Sequence, residues 1–301
     1  MRKKIGFIGL GQMGKWMALN LVYNNFDLTV YDINAGAMDF LVEKGARPAE
    51  DARHLAQHVD MIVLSLPNAD VVTEVVYGNN GIVQGAGKGQ ILLDCGTSGF
   101  LWTVKLAKKL EKIGIRFADA PVTGMEQRAK DATLTIMFGG SRNILEEIRP
   151  VLEAMANHIV YMGDAGSGQL AKMINNVIFN CNIAALAEVL PMAVKLGLDP
   201  ENIAHVIHNG SGQSFASDFF VPNVLEDCFN IGYPLELAYK DMRHAMELSA
   251  LKEIPLPMVH MAAETYQKAL DSGWGHEDKG AMFKVFEKVL DVRFRKKSIS
   301  K

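Results

Sequence analysis

The chain has 301 residues, of which 49% are hydrophobic, so it can form one large core or two moderate ones. Its formal net charge of -3 argues against a nucleic-acid partner, because such proteins usually carry a clear basic excess. Three widely spaced cysteines, Cys95, Cys181 and Cys228, fit neither a disulfide framework nor a zinc motif, which predicts a cytoplasmic protein without a metal.

Short apolar runs alternate with longer amphipathic ones through about residue 163. This alternation is typical of a parallel sheet that is covered by helices. Several runs are almost wholly apolar, as expected of strands that are buried on both faces. The predicted strands are Lys4–Ile8, Leu28–Tyr31, Met61–Leu66, Ile91–Asp94, Arg116–Ala118, Leu134–Phe138 and Ile159–Met162. Ser141 is predicted to cap a helix that runs to Met155.

After residue 163 the strand pattern ends, and the rest of the chain is predicted to be helical. The first of these helices is long and apolar, with a kink predicted at Pro191. No run reaches the ~20 uncharged apolar residues that span a membrane, so we expect no membrane association. The predicted helices are 168–197, one that begins at Asp199-Pro200, Leu235–Lys252, Met258–Ala269 and Glu277–Leu290. The C-terminal end of the chain is predicted to be a solvated tail because it is rich in basic residues, which are Arg293, Arg295, Lys296, Lys297 and Lys301.

A helix as apolar as residues 168–197 exceeds what a small helical domain can bury alone. We therefore expect it to pack against a second copy of the chain, in a homodimer or homotetramer. The predicted domains are residues 1–164 and residues 165–301.

The first predicted strand is followed by a glycine-rich loop, Gly9-Leu10-Gly11-Gln12-Met13-Gly14, which matches G-x-G-x-x-G. A helix is predicted to start in this loop, at Gln12. In that context Gly9 permits a tight turn, Gly11 the close approach of a pyrophosphate, and Gly14 close packing of helix on strand. The loop therefore predicts a dinucleotide site at a helix N-terminus, with a structural glycine turn as the alternative.

The second predicted strand is followed by Asp32, about twenty residues after the loop, where a carboxylate can bind the adenosine ribose hydroxyls. A 2′-phosphate there would be repelled by about 4 kcal/mol at 4 Å and an effective dielectric constant of ~20. The next residues, Ile33 and Asn34, supply no compensating arginine. We therefore predict NAD rather than NADP, and an ordinary turn carboxylate is the alternative for Asp32.

Two further strand ends lie at the edge of the sheet where ligands of open α/β sheets bind. They contribute Leu66, Pro67 and Asn68 from one loop and Thr97 from the next. These four residues are predicted to bind the nicotinamide half of the cofactor. Turn chemistry at the strand ends is the alternative interpretation.

Two lysines interrupt predicted helices. Lys172 lies four residues before Asn176, so both side chains share one helix face. A lysine in so apolar a helix is costly unless it forms a buried ion pair or exchanges a proton with a bound hydroxyl or carbonyl. The second lysine, Lys240, precedes Asp241, and a solvated or Asp241-paired side chain is its alternative interpretation.

Four motifs in this order resemble the β-hydroxyacid dehydrogenase family, which includes 3-hydroxyisobutyrate dehydrogenase, tartronate semialdehyde reductase and 2-(hydroxymethyl)glutarate dehydrogenase. The motifs are the glycine loop 9–14, the Asp-Ala-Pro-Val-Thr-Gly segment 119–124, the segment 168–176, and Lys240-Asp241. The resemblance spans nearly the whole chain. It implies an α/β Rossmann domain that is followed by a long interdomain helix and an all-α C-terminal domain, with the substrate in the cleft between the domains.

The resemblance also implies a reaction, which is hydride transfer between the nicotinamide and a small 3-hydroxy acid or, in reverse, a semialdehyde. It implies that Lys172 is the catalytic acid/base and Asn176 a hydrogen-bond donor to the substrate. Lys240 would lie near the nicotinamide and the substrate, and Thr123 and Gly124 would form part of the carboxylate site.

The chain departs from the family in the anion-binding turn, where Thr123-Gly124-Met125 replaces the usual Ser-Gly-Gly. Methionine removes backbone freedom and fills space in this substrate-binding turn. Nearby Arg128 suggests a second acidic group on the substrate, although an exposed surface arginine is the alternative. A reductase of a sulfonated or dicarboxylic aldehyde therefore stays open. Imine reductases and non-catalytic NAD-binding scaffolds are disfavoured, because those relatives generally lack the lysine.

Overall fold

The predicted strands pair in one sheet in the computed structural model, which describes residues 3–296. The strands are β1 (Lys4–Ile8), β2 (Asp27–Tyr31), β3 (Arg47–Pro48), β4 (Met61–Leu64), β5 (Ile91–Asp94), β6 (Arg116–Asp119), β7 (Val122–Thr123), β8 (Leu134–Gly139) and β9 (Ala156–Gly163). The strand order is β3-β2-β1-β4-β5-β6-β8-β7, and β9 also pairs with β8. The order reverses at β1, so the glycine loop follows the strand at the switch point, where such sheets bind ligands.

The sheet is mixed rather than wholly parallel. Strands β1 to β6 pair in parallel, whereas β8 runs antiparallel to both β6 and β7. The expectation of a parallel sheet is therefore wrong at this edge. The connection from β6 to β7 and the connection from β7 to β8 are each shorter than the dozen or more residues of a parallel crossover. Strand β9 restores parallel pairing after a full helix.

Both faces of the sheet are buried, as the apolar strands predict. Along β1, Ile5 and Phe7 pack into one hydrophobic cluster and Ile8 into the other. The same alternation continues in β4, where Val63 and Leu64 point to opposite faces. The two clusters fix the sheet between helix layers, so the polar residues of interest lie at its ends.

Thirteen α-helices are found in the part of the chain that the structure describes. They are α1 (Gly14–Tyr23), α2 (Ala35–Val42), α3 (Ala52–His58), α4 (Ala69–Tyr77), α5 (Phe100–Lys112), α6 (Met125–Lys130), α7 (Arg142–Glu153), α8 (Ser167–Lys195), α9 (Pro200–Asn209), α10 (Phe215–Leu225), α11 (Leu235–Lys252), α12 (Pro257–Asp271) and α13 (Phe283–Leu290). Ser141 caps α7 as predicted, accepting a hydrogen bond from the Ile144 N–H. A 3₁₀ turn at Lys279–Met282 replaces the first part of the predicted last helix.

The chain divides into two units, residues 1–172 and 173–301, and the division falls inside α8. The domain boundary predicted at residue 164 stays a prediction. The first unit contains the sheet, and the second unit contains α9 to α13. Helix α8 continues through Pro191 without a break. By length and composition alone it could cross a membrane, with a mean hydropathy of 1.8, a test that the core helix of a soluble protein also passes. The homo-oligomer expected from this apolar helix stays a prediction.

The C-terminal basic residues differ from the solvated tail predicted for them. The side chain of Arg295 is only 12% exposed and forms ion pairs with Asp227 and Glu287. Lys296 forms an ion pair with Glu226. The tail prediction is therefore wrong for Arg295, because the fold places its side chain between Asp227 and Glu287. The predicted tail residues Lys297 and Lys301 lie outside the described part of the chain.

Candidate active site

The glycine loop turns sharply out of β1. Gly9 has a φ of 95°, in the region that favours glycine. A Cβ on Gly14 would lie 1.9 Å from the Gly9 carbonyl oxygen, so that position has no room for a side chain. In contrast, a Cβ on Gly11 would meet nothing within 4 Å. Helix α1 begins at Gly14, two residues later than predicted.

The carboxylate of Asp32 lies beside this loop. Its Oδ2 accepts a hydrogen bond from the Leu10 N–H at 2.6 Å, and its Oδ1 accepts one from the Asn34 N–H at 2.8 Å. The intervening Ile33 is 96% exposed. Asp32 is thus both the turn carboxylate of the alternative interpretation and a charge fixed next to the predicted dinucleotide site.

The next two strand ends also meet the loop. A Cβ on Gly9 would lie 2.4 Å from the Ser65 carbonyl oxygen and 2.9 Å from Leu66 Cδ2. One on Gly96 would lie 2.6 Å from the Leu66 carbonyl oxygen, so the segment containing Thr97 adjoins the segment containing Leu66. The structure therefore brings both predicted nicotinamide segments to the edge where the glycine loop lies.

Pro67 and Asn68 follow on the exposed side of the same segment. The Asn68 side-chain oxygen caps α4 by accepting a hydrogen bond from the Val71 N–H at 2.9 Å. This contact corresponds to the turn chemistry given as the alternative for Asn68. A cofactor contact by Asn68 would therefore involve its amide nitrogen or its backbone.

Two buried carboxylates lie behind the segment that contains Thr97. Asp94 accepts hydrogen bonds from the Gly96 N–H at 2.9 Å and from the Ser98 hydroxyl at 2.7 Å. Asp119 accepts from the N–H groups of Gly166 and Gln169, at 2.5 and 2.7 Å. Asp119 thereby caps α8, the helix that contains Lys172.

Burial raises the pKa of Asp119 from 3.8 to about 7. The hydrogen bonds from the two backbone N–H groups lower the pKa, while the nearby Asp94 carboxylate raises it. Desolvation is the largest of these effects, so the group titrates near neutral pH despite its favourable hydrogen bonds.

The predicted anion-binding turn has an unusual backbone. Gly124 has a φ of 138°, and Met125 has a φ of 61° although it is not glycine. Thr123 precedes the turn on β7, where it pairs with Thr135 of β8. The Met125 side chain is 41% exposed. Gly124 and Met125 therefore form the turn that directly follows Thr123, and Met125 is strained there because it is not glycine.

Glu126 connects this turn to the glycine-loop helix. Its carboxylate accepts hydrogen bonds from Gln12 Nε2 at 3.1 Å and from Trp16 Nε1 at 2.9 Å, and it forms an ion pair with Lys130 at 3.1 Å. These contacts, led by the one from Gln12, lower the pKa of Glu126 to about 2. The charge is present at all physiological pH values, and no sequence pattern assigned it a partner.

In the second unit, Asn176 Nδ2 donates a hydrogen bond to Asp241 Oδ2 at 2.8 Å. Asp241 is 5% exposed, and it follows the half-buried Lys240 on α11. Since an amide nitrogen carries two hydrogens, one N–H of Asn176 stays available after this bond. Asp241 is thus a site residue that the sequence indicated only as a neighbour of Lys240.

Lys172 is half-buried near the start of α8 and is the last residue of the first unit. Three residues earlier on the same helix, Gln169 contacts the segment that contains Thr97. Gln169 is 1% exposed, its Oε1 accepts from the Ser98 N–H, and its Nε2 donates to the Gly96 carbonyl. Sequence reasoning missed Gln169, although so polar a residue in an apolar helix was a detectable signal.

The loop fits a dinucleotide. The N–H groups of Gly11, Gln12 and Met13 donate to no other described residue, so they can bind phosphate oxygens. The open space at Gly11 permits a close approach. Asp32 lies on the side where the ribose is expected.

Two family profiles match the chain. The NAD binding domain of 6-phosphogluconate dehydrogenase matches residues 4–163. The domain described as NAD-binding of NADP-dependent 3-hydroxyisobutyrate dehydrogenase matches residues 166–286. Together the two profiles cover both units.

Named relatives match over almost the full length. The chain is 37% identical to 2-(hydroxymethyl)glutarate dehydrogenase of Eubacterium barkeri, over 96% of each chain. The chain belongs to the β-hydroxyacid dehydrogenase family. It is 32% identical to mitochondrial 3-hydroxyisobutyrate dehydrogenase of Mus musculus, over 93% of this chain and 85% of that one. The Mycobacterium tuberculosis 3-hydroxyisobutyrate dehydrogenase, solved with L-serine, has a TM-score of 0.84 at 29% identity and covers 94% of this chain and 99% of its own.

These matches confirm the fold class and the enzyme class that the motifs predicted. The chain is an NAD(P)-dependent hydroxyacid dehydrogenase with a small-molecule substrate.

The two loop glycines offer a matched pair of variants of the dehydrogenase. Gly14→Ala should lower the free energy of unfolding by about 1–3 kcal/mol, because its Cβ overlaps the Gly9 carbonyl. Gly11→Ala should leave stability nearly unchanged and weaken NAD binding at least tenfold, because its Cβ enters the space expected for the pyrophosphate. Urea unfolding and NAD titration measure the two effects. Wild-type NAD affinity in Gly11→Ala would contradict the placement of the pyrophosphate.

Asp119 makes stability depend on pH. Since its pKa rises from 3.8 to about 7 on folding, the folded chain binds this proton more tightly than the unfolded chain does. The contribution to stability is therefore present below pH 3.8 and is lost as the pH rises to about 7. Asp119→Asn cannot titrate. We expect the unfolding free energy of the wild type, relative to the variant, to fall across this window by at most about 1.4 kcal/mol per pH unit.

Urea unfolding of both proteins between pH 4 and pH 8 measures this difference. A constant difference, or one that grows with pH, would contradict the raised pKa of Asp119.

Proposed function

We propose that the dehydrogenase oxidises a small 3-hydroxy acid, or reduces the matching semialdehyde, and that Lys172 exchanges the proton. The observation that carries this proposal is the position of Lys172 near the start of α8. One turn earlier, Gln169 bonds to the backbone of Gly96 and Ser98, which flank Thr97. Lys172 therefore lies within one helix turn of a residue that bonds to the segment expected to bind the nicotinamide.

Oxidation of the hydroxyl group removes a hydride and a proton. When bound, the nicotinamide accepts the hydride from the carbinol carbon. Lys172, as a neutral amine, accepts the hydroxyl proton while the C–O bond becomes a carbonyl. In the reverse direction the ammonium form of Lys172 returns this proton to the carbonyl oxygen.

The remaining site residues are proposed to bind the substrate. Asn176 has one N–H to donate beyond its bond to Asp241. Thr123 and Gly124 supply a hydroxyl and a backbone N–H for the carboxylate, and Lys240 supplies a positive charge. These roles are carried over from the family motifs at the matching positions.

We propose NAD as the cofactor within the NAD(P) class. The support is the Asp32 carboxylate beside the loop, followed by the fully exposed Ile33 instead of a basic residue. A 2′-phosphate at this position would meet like charge. Tighter binding of NADP than of NAD by the wild-type enzyme would contradict this choice.

The names of the relatives point to one substrate skeleton. 3-Hydroxyisobutyrate and 2-(hydroxymethyl)glutarate are both HOCH₂–CH(R)–COO⁻, where R is a methyl group in the first and a carboxyethyl group in the second. L-Serine, named with the Mycobacterium tuberculosis structure, carries an amino group at R. We propose this skeleton for the dehydrogenase, with the choice of R as the open question.

One observation favours an acidic R group. A Cβ on Gly124 would lie 2.7 Å from Arg128 Cδ, so the stem of Arg128 packs under the turn that is expected to bind the first carboxylate. Its guanidinium makes no hydrogen bond or ion pair with the described residues of the first unit, and it is exposed. Arg128 is therefore available for a second carboxylate or a sulfonate.

Lys172→Ala tests the proton transfer. We expect kcat to fall roughly 10²- to 10⁴-fold, or about 3–5 kcal/mol, while the dissociation constant for NAD changes little. Lys195→Ala is the matched control, because Lys195 is an exposed lysine in the last turn of the same helix. Steady-state turnover and NAD titration give both quantities. Retained turnover in Lys172→Ala would remove Lys172 from the mechanism.

Arg128→Ala tests the second acidic group with two substrates that differ only at R. We expect kcat/KM to fall about 10- to 100-fold with 2-(hydroxymethyl)glutarate, since a hydrogen bond to a charged group contributes about 1.5–3 kcal/mol. With 3-hydroxyisobutyrate it should change less than about threefold. Arg149→Ala, on the exposed face of α7, is the control. An equal loss with both substrates would rule out a second-anion site.

A further inference from the structure

Gln169 is a buried polar residue to which the proposed chemistry gives no task. It lies in the first turn of α8 and is 1% exposed. Its Oε1 accepts a hydrogen bond from the Ser98 N–H at 3.1 Å, and its Nε2 donates one to the Gly96 carbonyl at 2.9 Å. Its own N–H donates to Asp119 at 2.7 Å. All of these contacts lie within the first unit.

The carboxamide is matched to its partners on both sides. One atom has to accept and the other has to donate, because Ser98 presents an N–H and Gly96 presents a carbonyl. A carboxylate, a thioether or a hydrocarbon of the same length would leave at least one of these buried groups without a partner. The hydrogen-bonding pattern of the site therefore requires a carboxamide, and another side chain of the same size would not replace it.

The partner segment is fixed from its other side as well. The Gly96 N–H and the Ser98 hydroxyl both donate to the buried Asp94. A Cβ on Gly96 would lie 2.6 Å from the Leu66 carbonyl, so the segment also packs on the neighbouring strand end. Residues 96–98 are therefore held in one position at the edge of the sheet where the cofactor is expected.

Lys172 follows Gln169 by three residues, which is less than one turn of the helix. A shift of the first turn of α8 relative to residues 96–98 would move the lysine by a similar amount. Displacements of about 1 Å at a reacting group can lower the rate about 10²-fold. The two hydrogen bonds of the carboxamide oppose such a shift.

We infer that Gln169 is a positioning residue, which sets the location of Lys172 relative to the nicotinamide-side segment 96–98. The inference rests on the proposed role of Lys172. Gln169 is not proposed to touch a reacting atom. It acts only through the helix turn and the loop that it joins.

Gln169→Met removes both hydrogen bonds and keeps the length of the side chain. The matched control is Gln90→Met, because Gln90 is also buried in the first unit and its Nε2 donates to the backbone carbonyls of Ala56 and Val59, at 2.9 and 2.6 Å. We expect both variants to lose stability in urea unfolding. Only Gln169→Met should lower kcat, by about 10- to 100-fold per folded enzyme, with less than about a threefold change in KM for the hydroxy acid.

A kinetic isotope effect distinguishes positioning from general destabilisation. With a substrate deuterated at the carbinol carbon, the isotope effect on kcat should increase in Gln169→Met and stay unchanged in Gln90→Met, since misplacement slows the chemical step. If Gln169→Met does not fold, Gln169→Glu is measured instead. It keeps the shape and the acceptor but loses the donor to Gly96, and the same loss of kcat is expected.

Wild-type kcat in a folded Gln169 variant, beside an inactive Lys172→Ala, would overturn this inference and leave the proposed function standing. An equal loss of kcat in Gln90→Met would also overturn it. Turnover that survives in Lys172→Ala would instead overturn the proposed function.

Discussion

The backbone N–H groups at the carboxyl edge of the sheet donate to two buried carboxylates, and the arrangement of the first unit's site depends on these bonds. Asp94 and Asp119 lie side by side at the ends of β5 and β6. Asp94 orders the loop that follows β5, and Asp119 caps α8. Both loops leave the sheet here, so strand pairing cannot satisfy their N–H groups.

This arrangement places the Asp94 carboxylate beside Asp119 in a buried place, and it adds to burial in raising the pKa of Asp119. Two neighbouring glycines, Gly139 and Gly168, leave space for the carboxylate of Asp119. Cβ atoms on Gly139 and Gly168 would lie 2.6 and 2.8 Å from its oxygens. Glycine at these positions therefore serves the contact between backbone and carboxylate, not conformational freedom.

The sequence was most informative where the signal was local. The glycine loop, the strand before it and the acidic residue about twenty positions later are all set by spacing, and the structure places Asp32 against Leu10 as that spacing requires. Helix α11 was predicted with its bounds. Local signals failed for β3 and β7, which have two residues each and no periodicity. Helix α10 is absent from the predicted helices, although Ser214 caps it by accepting a hydrogen bond from the Ser217 N–H.

The missed site residues have partners that are distant in the chain. Gln169 bonds to residues about seventy positions earlier and Asp119 to residues about fifty positions later. Glu126 bonds to Gln12 and Trp16, which lie 114 and 110 positions earlier. Sequence shows that such a residue is polar in an apolar setting, but not which backbone groups it will meet. Those partners depend on strand order, which a single sequence does not specify.

Met125 gives the turn that we propose as part of the substrate carboxylate site a property that glycine would not. A side chain restricts the conformations of the unbound turn, and its φ of 61° is already the left-handed conformation that the turn adopts. The strain is contained in the folded protein before any ligand binds. If the turn binds an anion as proposed, less conformational entropy would then be lost on binding. The same restriction would limit how far the turn can adjust to anions of other sizes. A stiffer turn would therefore accept a narrower range of substrates and lose less conformational entropy when it binds one.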